Sequence, residues 1–318
     1  MNISLENMAK FMLMQKEVII YYHINPDGDA IGSAYALAVA LQSKGIKANV
    51  NYDNGIPLVF QYLTDKFKGD LLNEPVAIAV DSVSNKRLGT YEQMPIMFCI
   101  DHHENNTINA EYSYIEEDTS SCSEIILKLI IAMEVKINPY IADLLYTGIL
   151  TDTSCFRAIH TNSASIITAG KLADYGANVT DIARRNFMSK TPERMKLESI
   201  LCGSLHYSCN YNIVSGIITF EDYQKTKVDD IELKDIPMIL DQIKNIKICI
   251  VIRENRLGNC RISLRTSNEF NAAEICRNFG GGGHSTAAGC DIEGNPEVVR
   301  KRIEEVCINY YLKSNTLI

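Results

Sequence analysis

The residues of this chain that can do chemistry are histidines and aspartates spaced along its first half. The candidate metal ligands are His23, Asp27, Asp29, Asp81, His102 and Asp152. Carboxylate and imidazole donors without thiolate favour manganese, magnesium or cobalt over structural zinc. Two metals about 3.5–4 Å apart are a common device for hydrolysing phosphate esters. We therefore predict a site for two divalent metal ions, with Mn²⁺ preferred and Mg²⁺ or Co²⁺ as alternatives.

A sheet is needed to bring these side chains together. Three short apolar runs are typical of buried parallel strands, at residues 18–22, 76–80 and 96–100. Each run ends directly before a candidate segment, and ligands of open α/β sheets bind at the carboxyl ends of the strands. We predict that His23, Asp27 and Asp29 lie on a strand-to-helix loop. Asp152 is expected in a loop that follows a helix over 140–150.

The strand and helix patterns divide the chain into two α/β domains. In residues 1–186, helical patterns alternate with the strands, which predicts a parallel sheet with helices on both faces. Residues 187–203 are predicted to form a linker helix, with Thr191 as N-cap and Pro192 in the first turn. Residues 204–318 are predicted to form a smaller α/β domain. Its predicted strands cover 213–220, 246–253 and 260–265, and its predicted helices cover 272–278 and 296–311.

Several motifs resemble those of the DHH phosphoesterase superfamily with a DHH-associated C-terminal domain. They are the segments 23–29, 101–103, 146–153, 262–265 and 280–284. Together they look like the bifunctional oligoribonuclease and PAP phosphatase (nanoRNase) family, from about His23 to Asp291. The resemblance implies a cleft between the two domains. It also implies hydrolysis of short oligonucleotides or dinucleotides to mononucleotides, with 3′-phosphoadenosine 5′-phosphate (PAP) as a further substrate.

The resemblance implies a role for each candidate residue. The expected ligands are His23 and Asp27 for the first metal, Asp29, His102 and Asp152 for the second, and Asp81 as a bridge between the two. His103 is expected to face the substrate phosphate, and Asp101 to orient its histidine neighbour. In the second domain, the residues expected to hold substrate are Arg265 and His284, with the backbone of Gly282 and Gly283. An arginine can clamp a phosphate with two N–H groups, and glycine N–H groups can cradle an anion.

Composition limits the partners of the chain. It has 318 residues and a net charge of −8, whereas a protein that grips long nucleic acid usually has a basic face. Short RNA or DNA substrates are therefore favoured over a RecJ-like action on long strands. The chain has no apolar stretch long enough to span a membrane, so no membrane partner is predicted. Ten scattered cysteines without a C-x-x-C pair predict a reduced, cytoplasmic protein, and the resemblance suggests a homodimer.

Other functions stay open at this point. One is direct hydrolysis of a cyclic dinucleotide such as cyclic di-AMP, and another is a catalytically inactive nucleotide sensor. The complete ligand set argues against the sensor. An inorganic pyrophosphatase would share the first-half motifs, but the segment Gly280–His284 points away from it. Arg157 and Arg87 are weaker candidates for substrate contacts, with a surface role as the alternative.

Overall fold

The chain forms two compact units, Met1–Ser189 and Lys190–Ile318. A computed structural model describes residues 1–51, 55–158, 160–228, 233 and 236–315. Each unit has its own sheet and its own hydrophobic core. Within the described ranges, the structure has no helix that is both long and apolar enough to cross a membrane.

The first unit is built on a five-stranded parallel sheet with the strand order β2-β1-β3-β4-β5. The strands are β1 Glu17–Tyr21, β2 Lys47–Asn51, β3 Val76–Val80, β4 Ile96–Asp101 and β5 Ala110–Ile115. The three apolar runs correspond to β1, β3 and β4. The predicted α/β class and the parallel sheet are confirmed.

Helices cover one face of this sheet. The helices of the first unit are α1 Leu5–Leu13, α2 Gly28–Ser43, α3 Gln61–Thr64, α4 Cys122–Ala132, α5 Pro139–Asp152, α6 Ser163–Asp174 and α7 Val179–Ala183. Of these, α1, α2 and α4 contact the strands, and α5 packs on α2 and α4. The main core lies between β1, β3 and β4 on one side and α1, α2, α4 and α5 on the other. The opposite face packs against a 3₁₀ helix, Asn85–Tyr91, through Leu88. The prediction of helices on both faces is therefore met on this face by a 3₁₀ helix and not by an α-helix of the described residues.

Two helices reach further toward the candidate ligands than predicted. Asp27 is the N-cap of α2, and its Oδ1 accepts hydrogen bonds from the N–H groups of Asp29 and Ala30, both at 3.1 Å. Asp29 therefore lies in the first turn of α2, and its prediction as a loop residue is wrong. Asp152 is the last residue of α5, so its predicted place in the following loop is also wrong.

The second unit is built on a six-stranded mixed sheet with the order β10-β11-β9-β8-β7-β6. The strands are β6 His206–Ser208, β7 Ile213–Ile218, β8 Ile248–Glu254, β9 Asn259–Thr266, β10 Gly282–Gly283 and β11 Ala287–Glu293. Only the pair β7–β8 is parallel among these pairings. The helices are α8 Pro192–Gly203, α9 Phe220–Thr226, α10 Pro237–Asp241, α11 Ala272–Arg277 and α12 Pro296–Asn315. The second α/β domain is confirmed as a mixed sheet with helices.

Helix α8 begins where the sequence predicts. The Oγ1 of Thr191 accepts a hydrogen bond from the N–H of Arg194 at 3.1 Å. Leu197 and Leu201 then pack in a core that includes Val214 of β7. The helix predicted as a linker therefore packs against the second sheet, while the domain boundaries of the sequence analysis stay a prediction.

Candidate metal centre

All six predicted metal ligands lie in one cluster of the first unit. It consists of three overlapping groups of residues. Within each group, one ligand atom from every residue lies within 4.8 Å of those of the others. The groups are His23, Asp27 and Asp81; Asp29, His102 and Asp152; and Asp81, Asp101, His102 and His103. The carboxyl ends of β1, β3 and β4 supply one part, and the start of α2 and the end of α5 supply the rest. The parallel sheet brings the strand ends to one edge.

Asp81 lies between the two histidines of the cluster. Its Oδ2 is 3.6 Å from Nε2 of His23, and its Oδ1 is 3.5 Å from Nε2 of His102. The side chain is 2% exposed, and the backbone φ of 50° is in the left-handed region, which Asp tolerates better than most residues. Each oxygen faces a different histidine, as a carboxylate that bridges two metals must.

A backbone carbonyl fixes the orientation of His102. Its Nδ1 is 3.2 Å from the carbonyl oxygen of Thr119, so Nδ1–H donates there and the Nε2 lone pair is left for a ligand. Nε2 lies 3.4 Å from Oδ2 of Asp152 and 4.0 Å from Oδ2 of Asp29. His102 thus presents a ring nitrogen to carboxylates of the second predicted metal site.

Two carboxylate oxygens of the cluster are buried without a hydrogen bond. They are Oδ1 of Asp81 and Oδ2 of Asp152, for which the described part of the chain supplies no donor. A buried acceptor of this kind is costly unless a ligand satisfies it. A divalent cation would satisfy both oxygens, and carboxylates with imidazoles suit Mn²⁺ or Mg²⁺. The residues therefore fit a divalent metal.

Burial and neighbouring charges shift the pKa values of the cluster. Burial, and then the charge of Asp81, raises the pKa of Asp29 to about 7, while burial and the charge of Asp29 raise that of Asp152 to about 9. Burial alone would lower the pKa of His102, but Asp81 and other carboxylates raise it to about 10. Burial opposes ionisation of Asp81, yet the two histidines hold its pKa below its usual range. Metal binding must therefore compete with protons.

Buried donors hold the carboxylate of Asp29. At the start of α4, the N–H of Cys122 donates to its Oδ2 at 2.6 Å and the N–H of Ser123 to its Oδ1 at 2.9 Å. The Oγ of Ser33 donates to Oδ1 at 3.3 Å. Helix α5 passes closely at Gly148, where an added Cβ would lie 2.6 Å from Oδ1. The sequence analysis missed Ser33 and Gly148, although Ser33 follows Asp29 by one helical turn.

Asp101 orients His103. Asp101 is fully buried, and its Oδ1 accepts a hydrogen bond from Nδ1 of His103 at 2.8 Å. Its Oδ2 accepts from Nδ2 of Asn106 at 2.5 Å. The bond to Asp101 raises the pKa of His103 and leaves its Nε2 free on a side chain that is 44% exposed. Asn106 was missed by the sequence analysis, although it lies three residues after His103.

Arg87 places a cation beside the cluster. Its Nη2 is 3.0 Å from Nδ1 of His23, and its carbonyl oxygen accepts a hydrogen bond from the N–H of Ile24 at 2.7 Å. Arg157, the stronger candidate from sequence, instead donates from Nε to the carbonyl oxygen of Ser154 at 2.8 Å. The structure thus gives Arg87 a direct link to a predicted ligand.

The predicted substrate residues of the second unit lie on β9, on β10 and on the turn between β10 and β11, at the β10 edge of its sheet. Arg265 of β9 pairs with Ala287 of β11, and Gly282 and Gly283 form β10 beside β11. Gly283 has a φ of 145°, and a Cβ there would lie 2.6 Å from the carbonyl oxygen of Ala287. The N–H of His284 donates to the same oxygen at 2.8 Å. The hairpin itself therefore requires Gly283, and the substrate role of these residues stays a prediction.

Comparison with protein families agrees with this site. The DHH family, N-terminal domain, matches residues 17–149, and the DHHA1 domain matches residues 212–309. The first match includes every predicted metal ligand except Asp152, and the second includes Arg265 and His284. The chain therefore contains a DHH N-terminal domain and a DHHA1 domain, and it is a hydrolase of phosphate ester bonds.

Three individual proteins are similar to this chain over most of its length. The chain is 25% identical over 292 residues to the bifunctional oligoribonuclease and PAP phosphatase NrnA of Mycoplasma genitalium. The matched region covers 89% of this chain and 90% of the relative. It is 25% identical over 280 residues to the protein of that name from Thermus thermophilus, covering 87% and 84%. A probable NrnA of Streptococcus mutans is 28% identical over 284 residues, covering 86% and 89%.

Solved structures share the fold. An exopolyphosphatase-related protein from Bacteroides fragilis superposes with a TM-score of 0.83 at 24% identity, covering 98% of this chain and 97% of that chain. RecJ of Thermus thermophilus in complex with Mn²⁺ gives a TM-score of 0.55 at 14% identity, covering 97% of this chain and 55% of that chain. At these identities the likeness concerns the fold alone.

Proposed function

We propose that this protein is a divalent-metal-dependent phosphohydrolase that degrades short oligonucleotides and dinucleotides to mononucleotides. PAP is proposed as a further substrate, in line with the names of the NrnA relatives. The proposed cofactor is a pair of metal ions, with Mn²⁺ preferred. The alternatives are Mg²⁺, which prefers oxygen donors, and Co²⁺, which also binds imidazole.

The position of Asp81 is the observation that carries this proposal. Its two oxygens face His23 and His102 separately, at 3.6 and 3.5 Å. A carboxylate whose two oxygens face different histidines can serve two metal sites at once. Two sites joined by one carboxylate account for both contacts and for the buried Oδ1 that lacks a donor among the described residues.

The proposed mechanism assigns each residue a separate task. Bound divalent metals would stabilise negative charge on the phosphate and lower the pKa of water. Asp29, held by the start of α4, keeps its carboxylate fixed in the cluster. His103, held by Asp101, presents Nε2 to a non-bridging phosphate oxygen. Arg87, beside His23, adds a positive charge next to the cluster.

The proposed substrates are short because of charge and contacts. The net charge of −8 disfavours a long polyanion. In the second domain we propose that Arg265 clamps a substrate phosphate, with His284 and the backbone of Gly282 and Gly283 as further contacts. A guanidinium can donate two parallel hydrogen bonds to a phosphate, which an ammonium cannot.

A substrate panel tests the proposal. Purified protein is incubated with Mn²⁺ or with chelator and a linear diadenylate, a five-nucleotide RNA, cyclic di-AMP or PAP, and the products are separated by chromatography. We expect Mn²⁺-dependent release of mononucleotides from the two linear substrates. Faster hydrolysis of cyclic di-AMP would favour the signalling phosphodiesterase. No hydrolysis of any substrate with metal bound would contradict the proposal and favour the sensor.

Two further expectations stay predictions. The homodimer rests on the resemblance, and sedimentation of the purified protein would test it. The cytoplasmic location rests on the unpaired cysteines, all of which are free thiols in the structure.

A further inference from the structure

One face of strand β9 carries two arginines. Along β9 the side chains alternate, and Cys260, Ile262 and Leu264 point into the core of the second unit. Arg261 and Arg265 therefore lie on the opposite face. Arg261 is exposed, with 52% of its side chain accessible. Four residues of strand separate the two Cα atoms by about 13 Å.

Strand β11 leaves the part of this face beside Ser263 without a side chain. Gly289 lies opposite Ser263 in the strand register, and Asp291 lies opposite Arg261. The guanidinium of Arg261 lies over Gly289, with Nη2 3.4 Å from where a Cβ would be. Its Nη1 donates to Oδ2 of Asp291 at 2.6 Å. The surface between the two arginines is therefore formed by two small residues, Ser263 and Gly289.

The partner of Arg261 is easily exchanged. Asp291 is 62% exposed, and exposed ion pairs contribute little to stability because water and salt screen them. A phosphate offers the same guanidinium two oxygens in a suitable geometry. A substrate phosphate that reaches this face can therefore replace the carboxylate of Asp291.

We propose that Arg261 is a specificity residue that contacts a second phosphate of the substrate, while Asp291 competes for it. The proposal rests on the proposed function, in which Arg265 holds the first phosphate. A dinucleotide with one phosphodiester engages Arg265 alone. An oligonucleotide with several phosphodiesters engages both arginines, so this pair favours substrates longer than a dinucleotide.

The experiment compares KM for ApA with KM for a five-nucleotide RNA in four variants. Arg261→Gln should raise KM for the longer RNA about tenfold, the scale of one charge-assisted hydrogen bond, and leave KM for ApA unchanged. Asp291→Asn should lower KM for the longer RNA by about threefold. In the double variant Asp291→Asn should have no effect, because no guanidinium remains to be freed.

The matched control is Lys225→Gln. Lys225 pairs with Glu221 on α9, and both side chains are exposed, so this change removes one positive charge of the same unit from a residue outside β9. The control should leave both KM values unchanged. An equal effect on the two substrates in Arg261→Gln would overturn the proposal, and so would an effect of Asp291→Asn that persists in the double variant. If the unmodified protein hydrolyses neither substrate, the proposed function fails together with this inference.

Discussion

Gly148 is the residue at which a single added methyl group should disturb the metal centre while every predicted ligand is kept. It lies on α5, where the helix passes Asp29 and Ser123. A Cβ at this position would lie 2.6 Å from Oδ1 of Asp29 and closer still to Oγ of Ser123. Both neighbours are fully or almost fully buried, so neither can swing into solvent. Gly148→Ala must therefore displace the Asp29 carboxylate or separate α5 from α4.

The size of the effect follows from these contacts. Overpacking a buried site typically destabilises a protein by about 1–3 kcal/mol. Losing the groups that orient a metal ligand typically costs about 10–100-fold in metal affinity or activity. We therefore expect Gly148→Ala to weaken Mn²⁺ binding by about 10–100-fold. Excess metal should restore part of the activity.

Isothermal titration with Mn²⁺ and thermal unfolding of the metal-free protein measure the two effects. The matched control is Gly170→Ala on α6, because a Cβ there has nothing within 4 Å. Alanine should stabilise that helix by up to about 1 kcal/mol and leave Mn²⁺ affinity unchanged. Wild-type Mn²⁺ affinity in Gly148→Ala would refute the reasoning that the Asp29 carboxylate must be held in place.

Two other changes test the metal centre, and a third tests an ion pair on α8 of the second unit. Asp81→Ala should lower kcat by at least about 10³-fold while circular dichroism shows a folded chain, and near-normal turnover at saturating metal would exclude a shared bridge. Asn106→Leu removes the donor to Asp101, so kcat should fall about tenfold with Mn²⁺ affinity unchanged, as steady-state kinetics and titration would show. Burial alone would raise the pKa of Glu198, but Lys190 and Arg194 lower it below its usual value of 4.5. The ionised carboxylate therefore stabilises the folded chain above pH 4.5, and this stabilisation is lost as pH falls through the lowered pKa. Unfolding curves of Glu198→Gln should lack this acid dependence, and an unchanged dependence would show that other groups cause it.

The pKa shifts in the cluster predict how metal affinity depends on pH. Burial raises the pKa of Asp29 to about 7, so without metal a proton occupies the cluster at lower pH. Mn²⁺ affinity should therefore rise as pH increases through about 7. Titrations in buffers of different ionisation enthalpy should show proton release on binding. Affinity that is independent of pH across this range would contradict the competition between protons and metal for the cluster.

Sequence predicts three strands of the first sheet, and the candidate ligands that follow them, because both depend on local patterns, whereas β2 and β5 were not predicted. Continuous apolar runs identify β1, β3 and β4, and acids or histidines follow them directly. The sequence predicts less well where α2 begins and where α5 ends. Asp27 can be a ligand or an N-cap, and only the structure shows that it caps α2 and places Asp29 in the helix.

The contacts that hold the ligands depend on packing between distant segments. Cys122 and Ser123 are more than 90 residues from Asp29, and their amide groups meet it only because α4 packs against α2. Gly148 is required for the same reason, from a third helix. No local pattern signals such contacts, whereas Asn106 and Ser33 could have been found from their spacing to Asp101 and Asp29.

Anomalous diffraction from Mn²⁺-soaked crystals tests the central claim most directly. Data collected at the manganese edge should show two peaks about 3.5–4 Å apart. One peak should lie beside His23 and Asp27, the other beside Asp29 and Asp152, with the carboxylate of Asp81 between them. A single peak, or two peaks that do not share Asp81, would contradict the two-metal account.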